Sequence, residues 1–265
     1  RGLDLSDDEL SAVFQQWDSE ELNCHLLEIT ARLFRDQTEQ SGQRPLNEPA
    51  DEIREKGTGR WMSQDAMDLH VPTPTIDAAV AMRGRHASRN HHEQAAEIFS
   101  RPDRTYQGDR GVFLDQLRNG LYAAMIISHA QAMTHLRKAS EVYEYGLDLE
   151  EVARIWRAGS TIRSGIVTKM RTAFHARMDL PSLLCDPGLG GDVAARHEDL
   201  RAVVRTALDL LIPVPALAAS VAYFDAFHDQ WSPANLIQAL NDDVSAHAHD
   251  RMDEKGTYHA RWIGV

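Results

Sequence analysis

The segment Lys56–Gly57–Thr58–Gly59 combines residue types that suit an anionic ligand. Glycines on both sides of Thr58 let the backbone approach a ligand closely and expose consecutive N–H groups. Lys56 adds a positive charge, and the Thr58 hydroxyl can donate to a phosphate oxygen. A helix predicted to begin near Arg60 would add the positive end of its dipole. The segment predicts a phosphate site. A flexible glycine-containing turn is the alternative, because the GxxxxGK[ST] spacing of a P-loop is absent.

Arg83 is a second candidate for anion binding. Helical spacing places it on one face with Ile76, Ala79 and Val80, and this face is predicted to point at the core. A similar helix lies 141 residues further along (83 + 141 = 224), and it has Phe224 at the matching position. A charge on a core-directed face needs a partner, and the planar guanidinium suits phosphate. An intramolecular ion pair, or a side chain extended to solvent, is the alternative.

Two other patterns carry less information. The 13 histidines include the pair His91–His92 and the pair His247 and His249, but no HExxH or CxxC spacing occurs, so we predict no metal site. The run Gly188–Gly191 resembles a broken dinucleotide fingerprint. No predicted strand precedes it, so we interpret it as a loop and the start of a helix.

The elements that must position these residues come in two similar copies. Residues 2–5 (GLDL) match residues 146–149 (GLDL), and residues 71–80 match residues 212–221, at offsets of 144 (146 − 2) and 141 (212 − 71). Fixed-period similarity indicates a duplicated structural unit. We predict one domain with pseudo-repeats over about 1–105 and 112–250 and a C-terminal tail over 251–265. A long helix over 113–145 precedes the second copy, so the first copy is expected to lack its leading helix.

Hydrophobic periodicity favours helices throughout. Leu22, Leu26, Ile29 and Leu33 form a helical stripe, whereas the stretch 117–133 is apolar around its whole circumference and is predicted to run through the core. Strand signals are nearly absent, with no sustained alternation of β-branched residues. The sequence therefore predicts an all-α, duplicated multi-helix domain.

Composition limits the classes of partner. The 265 residues carry a formal net charge of −12, which disfavours nucleic acid and anionic membranes as partners. An anionic substrate would then need a locally basic pocket. Cys24 and Cys185 form no CxxC pair and no secretory leader precedes them, so we expect a reduced, cytoplasmic protein. No apolar run approaches the length of a membrane span.

Several motifs together resemble the C-terminal, all-helical domain of the 6-phosphogluconate dehydrogenase family. The likeness extends from Gly2 to the end of the chain. Its main motifs are WDSEELNCHLLEIT (17–30), KGTGRW (56–61), YAAMIISHAQ (122–131), WRAGSTIRS (156–164), IPVP (212–215), SPANLIQ (232–238) and GTYHARW (256–262). This resemblance implies a duplicated helical domain without the N-terminal Rossmann domain of the family.

The resemblance also implies a reaction. Members of the family oxidise and decarboxylate 6-phosphogluconate to ribulose 5-phosphate and CO2 in the pentose phosphate pathway. The Rossmann domain binds NADP, and the helical domain forms most of a homodimer interface and half of the substrate site. The family's catalytic lysine and glutamate lie on the leading helix that this chain lacks. We therefore expect no catalytic base or acid in this chain, and no NADP binding or turnover by it alone.

Five positions correspond to substrate contacts of the family. Lys56 and Thr58 match contacts in the KGTG loop, and Arg83 matches the arginine that binds the phosphate. His247 matches the histidine that the C-terminal segment presents to the neighbouring subunit. Asn241 stands where the family has a second phosphate-binding arginine.

Two departures from the family pattern support an alternative. Asn241 replaces an arginine, and Arg54–Glu55 replaces the small residue and amide that precede KGTG. Loss of one charge-assisted contact weakens binding by about 1.5–3 kcal/mol. The alternative is a catalytically inert or altered-specificity paralogue that acts as a dimerisation module. In both cases we expect a homodimer that buries the stretch 121–133 and the C-terminal tail between subunits.

Overall fold

The computed structural model describes residues 2–36, 57–85, 94–95, 97–99, 102, 104–230, 234–245, 249–250 and 257–258. Its first helices are α1 (Asp7–Ser19), α2 (His25–Arg35), α3 (Thr58–Asp68), α4 (Pro74–Arg85) and α5 (Arg110–Val142). They are followed by α6 (Leu149–Arg157), α7 (Gly165–Ala176), η1 (Leu183–Cys185), α8 (Pro187–Ala194), α9 (His197–Asp209), α10 (Pro215–His228) and α11 (Ala234–Ser245). Among these residues the strands are β1 (His249–Asp250) and β2 (Thr257–Tyr258), which pair antiparallel. The all-α prediction is confirmed.

The chain divides into two compact units, Arg1–Tyr223 and Phe224–Val265. The first contains α1 to α9 and most of α10, and the second contains the end of α10, α11 and the short strand pair. The predicted repeat boundaries stay a prediction.

Local sequence signals account for several helix starts. At α1 a capping box forms: the Glu9 N–H donates to Ser6 Oγ at 3.3 Å, and the Ser6 N–H donates to Glu9 Oε2 at 2.7 Å. Asp109 and Asp148 cap α5 and α6 through their carboxylates. These acceptors satisfy N–H groups that a helix start leaves without intrahelical partners.

Helix α5 runs through the core, as its apolar circumference predicts. A Cβ at Gly120 would lie 3.0 Å from the Leu200 Cα, so the backbones of α5 and α9 approach closely there. Most side chains of the stretch 121–133 are buried inside this single chain, whereas Leu121, Met125, Ser128 and Ala132 share a face that is only half-buried. The prediction that this stretch forms a subunit interface stays a prediction.

Matching positions of the two copies have the same backbone geometry. His70 and Leu211 (211 − 70 = 141) follow α3 and α9 in the left-handed conformation, with φ of 56° and 57°. The next residue's N–H closes each helix end, from Val71 to Ala66 at 2.8 Å and from Ile212 to Ala207 at 2.7 Å. This arrangement satisfies carbonyl groups at a helix end.

The two copies also meet at matching residues. Cys24 and Ser164 (164 − 24 = 140) form an isolated antiparallel bridge. The His25 N–H donates to the Arg163 carbonyl at 3.2 Å, and the Gly165 N–H donates to the Asn23 carbonyl at 3.0 Å. A reciprocal pair of bonds between equivalent residues is what a two-fold relation between the copies requires.

Candidate functional site

The described part of the predicted phosphate site begins at the N-terminus of α3. Gly57 precedes the helix with a φ of 83°, a conformation that glycine adopts without steric cost. The helix starts at Thr58 rather than near Arg60, and its N-cap residue, Gly57, has no side chain with which to cap it. Thr58 is exposed, so a ligand can reach its side chain at the positive end of the helix dipole. Lys56 lies outside the described residues.

Arg83 lies in the last turn of α4, and its environment differs from the prediction. Ala79 and Arg83 are exposed and Ile76 and Val80 are half-buried, so the face that they share does not point at the core. Instead, the buried residues at the start of α4 are Thr73 and Thr75. An exposed guanidinium is solvated and needs no buried partner, so the burial argument for Arg83 is wrong. The helix nevertheless presents the guanidinium to solvent, where an anion can reach it.

Thr58 and Arg83 lie on two consecutive helices that contact each other. Helices α3 and α4 pack together and are joined by the short connection 69–73. Thr58 is the first residue of α3 and Arg83 is near the last of α4, so each lies at the end of its own helix that is remote from the connection.

A buried polar cluster holds the start of α4. Gln131 on α5 is fully buried; its Oε1 accepts from the Thr75 N–H at 3.1 Å, and its Nε2 donates to Thr75 Oγ1 at 3.0 Å. Thr75 Oγ1 also lies 3.0 Å from Ser220 Oγ on α10. Sequence reasoning missed this cluster. The available signal was an amide in the middle of an otherwise apolar helix.

A second polar cluster ties α3 to α5. Asp65 Oδ2 lies 2.6 Å from His135 Nε2, and the Tyr143 hydroxyl donates to Asp65 Oδ1 at 2.6 Å. The bond from Tyr143, and then that from His135, holds the pKa of Asp65 below its usual value, although burial opposes this. The bond to the carboxylate raises the pKa of Tyr143 to about 12. Sequence reasoning missed this cluster too, because 70 or more residues separate its partners.

The remaining predicted residues are in the second compact unit or outside the described ranges. Asn241 is an exposed residue of α11. His247 and the pair Arg54–Glu55 lie outside the described residues. The structure therefore places Thr58 and Arg83 on two helices that contact each other, and the membership of the predicted residues in one site stays a prediction.

The histidines and the glycine run were the other patterns that could indicate a metal or a dinucleotide. Over the described ranges, no group of three or more His, Cys, Asp or Glu side chains could hold a metal ion. The run Gly188–Gly191 lies in the first turns of α8, which Asp186 caps, as predicted. A Cβ at Gly190 would overlap the Leu184 carbonyl oxygen, so this glycine serves close packing. A strand leading into a glycine-rich turn, which NADP binding needs, is absent from the described part of the chain.

Among the described residues, no helix is both long enough and apolar enough to cross a membrane.

Comparisons with known proteins agree with this architecture. Residues 1–262 match the family model described as 6-phosphogluconate dehydrogenase, C-terminal domain. Relatives named 6-phosphogluconate dehydrogenase, decarboxylating, are 40% identical over 265 residues in Synechococcus elongatus and 36% identical over 262 residues in Shigella flexneri. Each match covers 99% of this chain and 56% of the relative. The chain thus spans little more than half the length of these relatives.

A solved structure has the same fold. The 6-phosphogluconate dehydrogenase of Plasmodium falciparum superposes with a TM-score of 0.91 at 32% identity, over 97% of this chain and 56% of that chain. That enzyme was solved in its apo form, with its cofactor NADP+ and with its substrate 6-phosphogluconate. The match of the family model to residues 1–262, together with this shared fold, shows that the chain belongs to the 6-phosphogluconate dehydrogenase family and represents its C-terminal domain.

Proposed function

We propose that this chain is the helical, substrate-binding part of a decarboxylating 6-phosphogluconate dehydrogenase. The match of the family's C-terminal domain over residues 1–262 carries this proposal. The parent protein would convert 6-phosphogluconate and NADP to ribulose 5-phosphate, CO2 and NADPH. A preceding domain would bind NADP, in agreement with the 56% coverage of the relatives. The two free cysteines, Cys24 and Cys185, fit a reducing cytoplasmic setting.

In substrate binding, this chain would hold the phosphate end of the sugar acid. The start of α3 offers its first-turn N–H groups and the exposed Thr58, and the next helix, α4, offers the exposed guanidinium of Arg83. Both are suited to a phosphate dianion. They supply a local positive site on a chain whose net charge is −12, which a dianionic substrate needs. Lys56 is proposed to add a third contact.

A second copy of the chain is proposed to complete the site. Helix α11 exposes Leu236, Ile237 and Leu240, of which 65%, 59% and 55% of the surface is accessible. An apolar surface on one helix is typical of an interface, and a symmetric homodimer would cover it. In this dimer His247 and Asn241 of one copy would approach the substrate bound at Thr58 and Arg83 of the other.

A chimera tests the reaction. The N-terminal part of the Synechococcus elongatus relative, joined ahead of this chain, should form NADPH when supplied with 6-phosphogluconate and NADP. Replacing Arg83 with Gln should raise the KM for 6-phosphogluconate about tenfold or more, because a charge-assisted contact to the phosphate is lost. Arg35→Gln is the matched control, since Arg35 is an exposed arginine at the end of α2 that pairs with Asp36. It should leave the KM unchanged.

NADP binding by the chimera, measured by fluorescence, separates the possible failures. A chimera that binds NADP but forms no NADPH from 6-phosphogluconate would contradict the proposed activity. An equal rise in KM in the Arg83 and Arg35 variants would contradict the proposed phosphate contact.

A further inference from the structure

His129 lies in the middle of α5, in the part of the helix that runs through the core. Only 9% of the residue is exposed. Its Nδ1 lies 2.7 Å from the carbonyl oxygen of Met125, one helical turn earlier. Because a carbonyl oxygen can only accept, Nδ1 carries the proton and Nε2 has the free lone pair. The core therefore holds the imidazole as one defined neutral tautomer.

The second ring nitrogen of His129 is buried and makes no hydrogen bond to any of the described residues. A proton on Nε2 would turn the ring into a buried cation and would add an N–H group without an acceptor. Both changes are strongly unfavourable in an apolar interior. The packing that accepts the neutral ring therefore opposes the charged one.

The charged side chains that other elements direct at α5 contact it on either side of His129. They are Glu20, Lys169, Asp192 and Asp199, which contact residues 118–122, and Asp65, which contacts His135 and Tyr143. On the remaining elements that pack on α5, Asp77 of α4 accepts from Thr73, and Tyr223 of α10 interacts with Cys185 of η1. Within the described ranges, no charged group forms a hydrogen bond or an ion pair with His129, so none would neutralise an imidazolium there.

This environment shifts the protonation of His129 in one direction. Burial lowers the pKa of the imidazole, and the hydrogen bond to the Met125 carbonyl opposes this only in part. In the unfolded chain the imidazole has its ordinary pKa of about 6.5. The unfolded state therefore binds a proton at pH values at which the folded state does not. Stability is complete above the unfolded pKa and is lost as the pH falls from there toward the lower folded pKa.

We propose that His129 is an acid-sensitive switch in the helical core. At neutral pH the uncharged ring fits between α5 and the helices packed on it. As the pH falls, uptake of a proton on Nε2 favours states in which these helices have separated and the ring is in water. The switch sets an acid limit to the stability of the domain. This inference does not depend on the proposed enzymatic function.

Urea denaturation of the wild type and of His129→Phe, at about pH 7.5 and about pH 5.0, tests the proposal. A phenyl ring fills a similar volume but does not titrate. Between these pH values, a group that is neutral when folded and has an unfolded pKa of about 6.5 raises the equilibrium constant for unfolding by up to about 30-fold. His129→Phe should remove this factor, whereas the other titratable groups remain in both proteins.

His228→Phe is the matched control. Nδ1 of His228 makes the same type of contact to a carbonyl oxygen one turn earlier, that of Phe224 at 2.6 Å, but His228 is exposed at the end of α10. Its charged form is solvated, so the acid loss of stability should be at least as large in His228→Phe as in the wild type. An equal acid loss in the wild type and in His129→Phe would overturn the proposal.

Imidazole NMR titration of the wild-type protein is a second measurement, which does not depend on the folding of His129→Phe. The ring of His129 should keep the chemical shifts of the neutral Nδ1–H tautomer down to the pH at which the protein unfolds. The shifts of the exposed His228 should change with pH in the folded protein. Titration of His129 in the folded protein at about pH 6.5 would overturn the proposal.

Discussion

At the scale of single residues, the polar groups buried in the core matter most for the position of the candidate site. Gln131 satisfies both the N–H and the hydroxyl of Thr75, at the point where α4 begins. Asp65 joins His135 and Tyr143 and thereby attaches α3 to α5. The helices that carry Thr58 and Arg83 are thus each held by a specific hydrogen-bonded cluster, and these clusters allow direct tests.

Gln131→Leu should lower the free energy of unfolding by roughly 1–3 kcal/mol, because the buried Thr75 N–H loses its acceptor. Urea denaturation at neutral pH measures the effect. Gln64→Leu is the control, since Gln64 is exposed on α3 and its replacement should change stability by less than about 0.5 kcal/mol. Equal effects of the two substitutions would mean that the buried cluster does not stabilise α4.

Tyr143→Phe should raise the pKa of Asp65 toward its usual value, because the largest cause of its lowering is removed. The charged Asp65 stabilises the fold above the carboxyl's unfolded pKa of about 3.9 and ceases to do so as the pH falls through its lower folded pKa. In the variant this acid loss should be smaller and should be complete at higher pH, because the folded and unfolded pKa values lie closer together. Carboxyl NMR titration measures the pKa directly.

Tyr143→Phe should also change how stability depends on pH in the alkaline range, because it removes the hydrogen bond to Asp65. The pKa of Tyr143 is raised to about 12, so the bond from its protonated phenol stabilises the fold below the unfolded pKa of about 10 and is lost as the pH approaches 12. Tyr145→Phe, at the neighbouring exposed tyrosine, is the control and should leave the pKa of Asp65 unchanged. If Tyr145→Phe raised that pKa as much as Tyr143→Phe, the assigned hydrogen bond would be wrong.

At the scale of elements, glycines show where helices approach other backbone. Helix α8 contains Gly190 and Gly191 in sequence, and their surroundings differ. A Cβ at position 190 would overlap the Leu184 carbonyl oxygen, whereas a Cβ at position 191 would have no heavy atom within 4 Å. The first glycine is required for α8 to pack on η1, and the second is not.

Gly190→Ala should destabilise the protein by roughly 1–3 kcal/mol, since the added methyl group displaces backbone. Gly191→Ala should instead be stabilising by up to about 1 kcal/mol, because alanine favours the helical conformation more than glycine does. Thermal unfolding of both variants gives the comparison. Equal stabilities would show that α8 and η1 are not in the close contact described above.

At the scale of the whole molecule, the exposed apolar side chains indicate where a second copy would bind. Most side chains of the stretch 121–133 of α5 are buried inside the chain, which leaves one half-buried face for a second copy. Helix α11 instead exposes three large apolar side chains. We therefore expect this helix to contribute to the proposed homodimer.

Sedimentation equilibrium should find a dimer at micromolar concentration. Replacing Leu236 and Leu240 with Asp should weaken dimerisation about tenfold or more for each leucine, because a charge takes the place of a buried apolar side chain. Leu208→Asp is the control: Leu208 is 61% exposed on α9, and its replacement should leave the dimer intact. A monomeric wild-type protein would contradict the proposed assembly.

The sequence by itself determined the helical class, the duplication and the family. Helical periodicity and repeated motifs are local properties, so α1, α2 and the apolar α5 could be read directly from the order of residues. The requirement for glycine before Thr58 is also local, because it depends on one left-handed φ. Motifs distributed over the whole chain identified the family, which the match over residues 1–262 confirmed.

Only the tertiary structure decided what each face meets. Helical spacing grouped Arg83 with Ile76 and Val80, but which elements cover that face depends on contacts between distant segments, and there the burial prediction was wrong. The Thr75–Gln131–Ser220 cluster and the Cys24–Ser164 bridge join residues 56 to 145 positions apart. Periodicity reports the faces of a helix, whereas the partner of each face is set by how the whole chain packs.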